Sequence, residues 1–329
     1  MPQLIGLTNV LVDAIYQVPD EVVSEFGLNK GEVSDDPEKV ALARKFAAKT
    51  LLQPALVPGG SVGNVMANAA RAGIETSVLG AGADDDAGRL YRKGLAAAGA
   101  QDHVITRDGV TGRVFSFVTP DAQRTMVFDL GCAHDYHIAD VPAQELCKAS
   151  VFHTSVYELQ GRMRDPALHA IHTARAAGVK IGLDLADSRL VSAEHDFYHD
   201  LVKEGIHYLF GNEQEMEAFI GTDDAYVALL ELATMCEVGV ITLGRNGAYL
   251  TSEQGDFHVP STRTTLRDTT GAGDAHRAGF YYGLLHSNKV NIAGICASYL
   301  AARVCETIGP RLQENIINLE IIATSEMDS

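Results

Sequence analysis

A carboxylate stands at the start of a predicted helix, inside a glycine-rich loop near the carboxyl end of the chain. The segment 267–275 reads Arg-Asp-Thr-Thr-Gly-Ala-Gly-Asp-Ala, and apolar residues at helical spacing follow it. Glycines let backbone N–H groups turn towards one point and a helix start adds a positive dipole end, so the loop predicts an anion site. Asp274 places a carboxylate where a site built only to bind phosphate would avoid a negative charge. We therefore interpret Asp274 as a proton acceptor.

A second glycine-rich loop opens another predicted helix early in the chain. Residues 58–64 read Pro-Gly-Gly-Ser-Val-Gly-Asn, and apolar side chains at helical spacing follow. A tight turn with Ser61 as the N-cap explains most of this pattern. It explains Asn64 least, because a polar amide in the first helical turn beside glycines is placed to reach a ligand in the loop.

Two common nucleotide-binding motifs are absent from the sequence. Residues 271–276 read Gly-Ala-Gly-Asp-Ala-His, which does not match the dinucleotide fingerprint and does not follow the first strand. The Gly-x-x-x-x-Gly-Lys-Ser/Thr string of a P-loop does not occur. The sequence therefore disfavours a dehydrogenase, and we expect any phosphoryl transfer to use backbone N–H donors instead of a P-loop lysine.

Strand and helix patterns alternate along most of the chain, beginning with a short buried strand over 3–9. Such alternation predicts a largely parallel sheet with helices on both faces. One stretch departs from it, since strand patterns over 104–106, 112–119 and 124–128 follow one another without a helix between them. We interpret these as an antiparallel flap that, with the segment around Asp13, covers a site as a lid.

Three further positions have both a structural and a functional explanation. Asp13 lies near a strand end, where turn or cap chemistry is the favoured interpretation from the residue alone. Asn212 with Glu215 fits a capping box as well as a ligand role. The pattern over 239–250 is strand, glycine turn and strand: a hairpin needs Gly247, and a nucleotide lying against the backbone would need it too.

The composition is that of a globular protein with an excess of acidic residues. The chain has 329 residues, 46% of them hydrophobic, and a formal net charge of -17. Such a charge disfavours nucleic acids and anionic membrane surfaces as partners. Five scattered cysteines without a Cys-x-x-Cys pair predict neither a disulfide framework nor a zinc site. With no signal peptide or long apolar run in the sequence, we expect a cytoplasmic protein.

Four motifs, in this order, resemble those of one enzyme family. They are Gly59-Gly60-x-x-x-Asn64, Asn212-x-x-Glu215, Thr242-Leu243-Gly244-x-x-Gly247 and Asp268-Thr269-Thr270-Gly271-Ala272-Gly273-Asp274. The chain resembles the ribokinase-like (PfkB) carbohydrate kinases over nearly its whole length, and the segments 9–13 and 118–126 look closest to the adenosine-kinase-like sugar kinases. The resemblance implies one α/β domain over 1–329, with three α/β/α layers, a mainly parallel central sheet and a small antiparallel β lid from about 10–35 and 104–130.

The resemblance also implies a role for each motif residue. Asp274 would take the proton of a substrate CH₂OH group, which then attacks the γ-phosphate of ATP. The anion hole would consist of the N–H groups of Gly271, Ala272, Gly273 and Asp274. The residues expected to hold sugar hydroxyls are Asp13, Gly59, Gly60 and Asn64. Those expected to line ATP are Asn212, Thr242, Gly244 and Gly247. The metal positions are Glu215, for Mg²⁺ through water, and Asp268 and Thr270, for a monovalent cation such as K⁺.

The predicted activity is ATP-dependent phosphorylation of a primary hydroxyl of a small-molecule sugar or nucleoside, and the identity of that substrate stays open. The alternative is a catalytically inactive binding protein of the same fold. It arises because the family usually has an aromatic or small apolar pair where this chain has His276-Arg277. An exposed cation there would oppose the helix dipole by about 0.3–1 kcal/mol. The lid either pairs two copies into a homodimer or shields the site of a monomer.

Overall fold

The computed structural model describes residues 3–121, 123–319, 321 and 325 of the chain. Residues 1–2, 122, 320, 322–324 and 326–329 of the predicted domain and lid lie outside these described residues. No helix within the described ranges has both the length and the apolar composition needed to cross a membrane.

The described residues form fourteen strands and twelve α-helices. In chain order, the strands are β1 (Leu4–Leu7), β2 (Leu11–Gln17), β3 (Val33–Ser34), β4 (Ala55–Pro58), β5 (Thr76–Ala83), β6 (Gln101–Arg107), β7 (Gly112–Val118), β8 (Arg124–Asp129), β9 (Val151–Ser155), β10 (Lys180–Asp184), β11 (Tyr208–Asn212), β12 (Val238–Thr242), β13 (Ala248–Ser252) and β14 (Gly255–Val259). The helices are α1 (Asp20–Glu25), α2 (Pro37–Lys49), α3 (Ser61–Arg71), α4 (Asp86–Ala98), α5 (Ala143–Leu146), α6 (Arg164–Ala176), α7 (Ser188–Ala193), α8 (His195–Lys203), α9 (Glu213–Ile220), α10 (Ala225–Leu232), α11 (Ala272–Ser287) and α12 (Val290–Cys305).

The large sheet has nine strands in the order β14-β13-β12-β11-β10-β9-β1-β5-β6. The strands from β12 to β6 run parallel, and only β13 and β14 pair antiparallel. Successive side chains of a strand point to opposite faces, and in β11 Leu209 and Phe210 belong to two different hydrophobic cores. Helices therefore cover both faces of a mainly parallel sheet, which confirms the predicted three-layer α/β/α class.

A small sheet of five strands, in the order β3-β8-β7-β2-β4, forms the lid. Its β7–β8 and β2–β4 pairs are antiparallel, whereas β2 and β7 run parallel. The prediction that 104–106 belongs to the flap is wrong, because these residues lie in β6 and pair in parallel with β5 in the large sheet. The reason is α4, which connects β5 to β6, since a strand-helix-strand unit joins parallel neighbours.

An aromatic cluster fixes the orientation of the lid sheet. Tyr16 and Phe117 pack with Phe26 and Phe46, and the ring centroids of Phe26 and Phe117 lie 4.8 Å apart. Since side chains alternate along a strand, Asp13 lies on the opposite face of β2 from Tyr16. The lid thus has one face buried against α1 and α2 and presents Asp13 on the other.

Candidate active site

The late glycine loop turns sharply before α11 begins at Ala272. Gly271 has a φ of 76°, and a Cβ there would lie 2.5 Å from Pro310 Cα, so glycine is required. The first N–H groups of a helix have no intrahelical acceptor, and those of Gly271, Gly273 and Asp274 have none among the described residues. The N–H of Ala272 differs, since it donates within the loop to a carbonyl oxygen 3.2 Å away. Three of the four predicted anion-hole donors are therefore available to a ligand.

Asp274 is held by two donors from the early glycine loop. Ser61 Oγ donates to its Oδ1 at 2.8 Å, and Asn64 Nδ2 donates to its Oδ2 at 2.9 Å. The N-cap of α3 is Gly60, so Ser61 binds Asp274 and does not cap the helix as the turn interpretation expected. Burial raises the pKa of Asp274 to about 6, while the hydrogen bonds from Asn64 and Ser61 lower it. This carboxylate is thus set near the pH range where a general base is effective.

Asp13 faces the same loop from β2. A Cβ at Gly59 would lie 2.8 Å from Asp13 Oδ1, and one at Gly60, whose φ is 77°, would lie 2.5 Å from Asn9 O. Gly59 therefore lets the loop approach β2 closely, and Gly60 lets it approach the segment just before β2. Burial raises the pKa of Asp13 to about 6, although Arg311 lowers it. Asp13 caps no helix and has no hydrogen-bond donor within the described part of the chain, which favours a ligand role over turn chemistry.

The pair His276-Arg277 lies inside the protein. Arg277 is 4% exposed, and its Nη2 donates to Asp184 Oδ1 at 2.9 Å while Nη1 donates to Gly273 O at 3.2 Å. Although burial opposes it, the carboxylates of Asp184 and Glu215 raise the pKa of Arg277. Burial lowers the pKa of His276 to about 3, so its ring is neutral. Arg277 is therefore a buried ion-pair partner, and the dipole cost expected for an exposed cation does not apply.

Asn212 and Glu215 form the capping box at the start of α9. Asn212 Oδ1 accepts from Glu215 N at 2.9 Å, and Glu215 Oε2 accepts from Asn212 N at 2.8 Å. Thr242 pairs with Asn212 across the neighbouring strands β11 and β12. Burial and repulsion from Asp184 raise the pKa of Glu215 to about 7. These polar groups meet at the carboxyl edge of the sheet, where open α/β sheets bind ligands.

The loop after β12 borders a cavity of about 570 Å³. Its lining residues include Leu243, Arg245, Asn246, Tyr249 and His258. Gly247 has a φ of 91°, and a Cβ there would lie 2.0 Å from Val259 O, so the hairpin needs this glycine. At Gly244, with a φ of 56°, a Cβ would meet no described atom within 4 Å. The cavity has the size of a small-molecule site.

A lid residue reaches the anion-hole loop. Arg124, the first residue of β8, donates to Thr270 Oγ1 and to Asp268 Oδ1, the latter at 3.1 Å. Asp268 Oδ1 also accepts from Thr270 Oγ1 at 2.7 Å, and its Oδ2 accepts from Gly309 N at 3.0 Å. Although burial raises it, the hydrogen bonds from Thr270 and Gly309 lower the pKa of Asp268. Both oxygens of this carboxylate therefore accept hydrogen bonds, Oδ1 from the lid residue Arg124 and Oδ2 from Gly309.

Two groups of the site are absent from the sequence predictions. Gly309 and Arg311, in the segment after α12, contact both glycine loops, through Asp268 and Asn64 respectively. The Gly-Pro step there indicates only a helix end, and a lone arginine beyond it has no informative spacing. Asp184 did have a signal, because the mainly apolar segment 179–183 before it is typical of a buried strand, and ligands bind where such strands end.

Comparison with known proteins shows which family this chain belongs to. The pfkB family carbohydrate kinase pattern matches residues 36–316. The aminoimidazole riboside kinase of Salmonella typhimurium is 27% identical over 257 residues, which are 75% of this chain and 80% of that protein. A probable sugar kinase from Rhizobium etli CFN 42 superposes with a TM-score of 0.87 at 26% identity over 99% of both chains. The adenosine kinase from Sinorhizobium meliloti does so with a TM-score of 0.86 at 26% identity, over 98% of this chain and 99% of that one. The chain therefore belongs to the pfkB family of carbohydrate kinases and is an enzyme of the carbohydrate and nucleoside kinase class.

Proposed function

We propose that this kinase transfers the γ-phosphoryl group of ATP to a primary hydroxyl, CH₂OH, of a sugar or nucleoside, with Asp274 as the general base. One observation carries the proposal. Asp274 is half-buried at the start of α11, beside the backbone N–H groups of Gly271 and Gly273, which have no acceptor among the described residues. Its carboxylate accepts from Ser61 Oγ at 2.8 Å and from Asn64 Nδ2 at 2.9 Å. A half-buried carboxylate beside backbone N–H donors is the arrangement that deprotonation of a hydroxyl during phosphoryl transfer requires.

The chemical step needs only proton transfer and in-line displacement. Deprotonated Asp274 accepts the hydroxyl proton as the substrate oxygen attacks the γ-phosphorus. The new O–P bond forms while the bond from the γ-phosphorus to the bridging oxygen breaks, and ADP leaves with that electron pair. The N–H groups of Gly271, Gly273 and Asp274 donate to the charge on the transferring phosphoryl group. Asp13 accepts from neighbouring hydroxyls and so directs the CH₂OH group towards the base.

ATP is assigned to the opposite side of the base in this proposal. The phosphates would lie near Asn212 and Thr242, and the nucleoside beside Gly244 and Gly247. The cavity of about 570 Å³ that the loop after β12 borders supports this position of the nucleoside. Mg²⁺ fits through water at Glu215, because Mg²⁺ keeps several waters and the described residues contain no group of three or more His, Cys, Asp or Glu side chains able to hold a metal directly. When bound, the ion would neutralise charge on the β- and γ-phosphates.

Asp268 and Thr270 stay our proposal for a monovalent cation such as K⁺. The guanidinium of Arg124 already donates to Asp268 Oδ1 at 3.1 Å, so the two cations would compete for the same oxygen. Association of two copies through the lid also stays a prediction, which sedimentation equilibrium of the purified chain checks.

A neutral furanose sugar or nucleoside is the substrate class that we favour. The net charge of -17 and the pairing of Arg124 with Asp268 leave little to attract a phosphorylated sugar. One relative is named as a riboside kinase and one structural neighbour as an adenosine kinase, which supports the same class.

ADP release over a panel of sugars, sugar acids and nucleosides tests the proposal. We expect at least one substrate to be phosphorylated, and Asp274→Ala to reduce that rate by about a hundredfold or more. Asp196→Ala, which removes a fully exposed carboxylate, is the matched control and should leave the rate unchanged. Unaltered activity in Asp274→Ala contradicts the proposal. Binding of a sugar or nucleoside by the wild-type chain without turnover favours the inactive binding protein instead.

A further inference from the structure

Arg311 connects the end of the chain to the early glycine loop. Its side chain lies inside the fold, since the residue is 8% exposed. Nε donates to Asn64 Oδ1 at 2.8 Å, and Nη2 donates to Gly59 O at 3.0 Å. Both acceptors belong to the loop that is expected to hold sugar hydroxyls, so Arg311 supports that loop through these two hydrogen bonds.

The contact with Arg311 determines how the amide of Asn64 is oriented. An arginine side chain only donates hydrogen bonds, so Asn64 has to present its oxygen to Arg311 and its nitrogen to the other side. That nitrogen donates to Asp274 Oδ2 at 2.9 Å. A flipped amide would bring N–H against N–H and oxygen against carboxylate, and would lose both hydrogen bonds. Arg311 thereby selects the amide orientation that suits a deprotonated Asp274.

The backbone on both sides of Arg311 is attached to the helix that carries Asn64. Asn68, one turn further along α3, donates from Nδ2 to Pro310 O at 3.0 Å and accepts from Leu312 N at Oδ1 at 2.8 Å. The guanidinium carbon of Arg311 also lies 5.2 Å from the ring centroid of Tyr91. These contacts restrict the position of the guanidinium relative to the loop, so the hydrogen bond between Arg311 and Asn64 has little freedom to change.

The positive charge of Arg311 acts on acidic groups of the site. Within the described part of the chain no carboxylate oxygen lies within ion-pairing distance of its guanidinium, which donates to an amide oxygen and a carbonyl oxygen. The carboxylates that act on it through space are those of Asp13 and Asp274. A buried cation with neutral partners and two acidic groups nearby favours the charged form of those groups.

We propose that Arg311 is a positioning residue of the phosphotransfer site, which holds Asn64 with its amide nitrogen on Asp274 and so keeps the base aimed at the substrate hydroxyl. The inference rests on the proposed function, and it concerns a residue that does not touch substrate. Loss of Arg311 frees the Asn64 amide and removes a positive charge, and both changes raise the pKa of Asp274. The other groups that act on Asp274 are Ser61, Asn64, Asp184 and Arg277, together with Asp13 from β2.

The pH profile of Arg311→Lys separates positioning from general stability. Lysine keeps the charge but lacks the guanidinium fork that bonds two acceptors at once. We expect kcat to fall about ten- to a hundredfold, KM for the sugar to rise and KM for ATP to stay unchanged. The acidic limb of kcat should move up by roughly 0.5–1 pH unit. Arg71→Ala is the matched control. Arg71 lines the same cavity of about 160 Å³ as Arg311, but it donates to Asn315. Its removal should change neither kcat nor the pH of the acidic limb.

Chemical rescue provides a second, independent variant. Arg311→Ala would join the space of the lost side chain to the cavity of about 160 Å³, whose lining also includes Gly94 and Pro310. Free guanidinium at millimolar concentration should then restore at least part of the activity, and ethylammonium should restore less. An unchanged pH profile in Arg311→Lys together with no rescue of Arg311→Ala overturns the proposal.

A measurement without turnover keeps this inference distinct from the proposed function. In protein labelled with ¹⁵N-asparagine, the side-chain signal of Asn64 is assigned by its loss in Asn64→Asp. We expect it to titrate near pH 6 with Asp274 in the wild type, and at higher pH in Arg311→Lys. If that shift appears while no substrate is phosphorylated, the kinase proposal fails and the role of Arg311 on Asp274 stands. An Asn64 signal that titrates identically in both proteins overturns the role of Arg311.

Discussion

The chemistry of this site depends on a few buried charges that are balanced against one another. Asp274 is held by Ser61 and Asn64, and burial keeps its pKa near 6. Arg277 pairs with Asp184 directly below the anion-hole loop, with side chains only 5% and 3% exposed. A buried arginine that pairs this closely is part of the packed interior. Arg277 is thus part of the packed interior beneath the loop, where it donates to Gly273 O and Asp184 Oδ1.

Asp274→Asn should stabilise the protein at pH 8 while it abolishes turnover. Burial raises the pKa of Asp274 from 3.8 to about 6, so the folded state binds the proton more tightly than the unfolded chain. The resulting destabilisation of the wild type is absent well below pH 3.8, grows as the pH rises from 3.8 to about 6, and is complete above that. The neutral amide avoids it, so we expect the free energy of unfolding to increase by about 1–3 kcal/mol at pH 8. Urea unfolding at pH 4.5 and pH 8 measures the difference, and a gain that is equal at both pH values contradicts the argument.

Three separate elements meet at the anion-hole loop: the start of α3, the segment after α12 and the edge of the lid. The lid contributes through Arg124, which donates to Asp268 at 3.1 Å and also to Thr270. The aromatic cluster around Phe117 holds the far face of the lid sheet. The lid is therefore anchored by packing on one face and by the guanidinium of Arg124 at the site.

Arg124→Met should loosen the lid without unfolding the protein. The Arg124 side chain is 36% exposed, and an ion pair of this kind contributes roughly 0–1 kcal/mol. We expect the melting temperature to stay nearly unchanged, amide exchange in β7 and β8 to become faster, and kcat/KM to fall. Because Asp268 Oδ1 is released, K⁺ should stimulate the variant more than the wild type, with Na⁺ as the comparison. Unchanged exchange in β7 and β8 would show that Arg124 does not hold the lid.

The molecule as a whole concentrates its polar chemistry at one edge of a buried sheet and carries a strong net negative charge. Asp184, Asn212 and Thr242 end neighbouring parallel strands, so the sheet brings them together. The surface has to accommodate 43 acidic against 26 basic residues, a net charge of -17. Self-repulsion of that size destabilises the compact state.

Added salt should therefore raise the melting temperature. Increasing ionic strength from about 0.01 M to about 0.1 M shortens the screening length from roughly 30 Å to roughly 10 Å and weakens this repulsion. We expect a rise of a few degrees in NaCl and the same rise in tetramethylammonium chloride, measured by scanning calorimetry. A larger rise in KCl than in NaCl or tetramethylammonium chloride would indicate a specific K⁺ site in addition to general screening. A melting temperature that falls with salt would show that self-repulsion does not control the electrostatic stability of the fold.

Local patterns predicted much of this protein. The alternation of strand and helix led to the three-layer class, and the hairpin at Gly247 is present. Loop 267–275 indicated an anion site because glycine freedom and a helix start are properties of neighbouring residues. The error at 104–106 has the same origin: a short edge strand carries no mark of the sheet it will join.

The amino-acid sequence determined which residue types could act: a carboxylate beside a glycine-built anion hole, and a second glycine loop with an amide. Only the tertiary structure decided what holds them. Asn64 meets Asp274 across 210 positions of sequence, and Arg311 meets Asn64 across 247. No periodicity relates residues so far apart, because such contacts arise from the packing of α3 and α11 against one another and the path of the chain after α12. Asp274 is thus recognisable as a candidate base from its neighbours in sequence, whereas its pKa and its orientation are consequences of the fold.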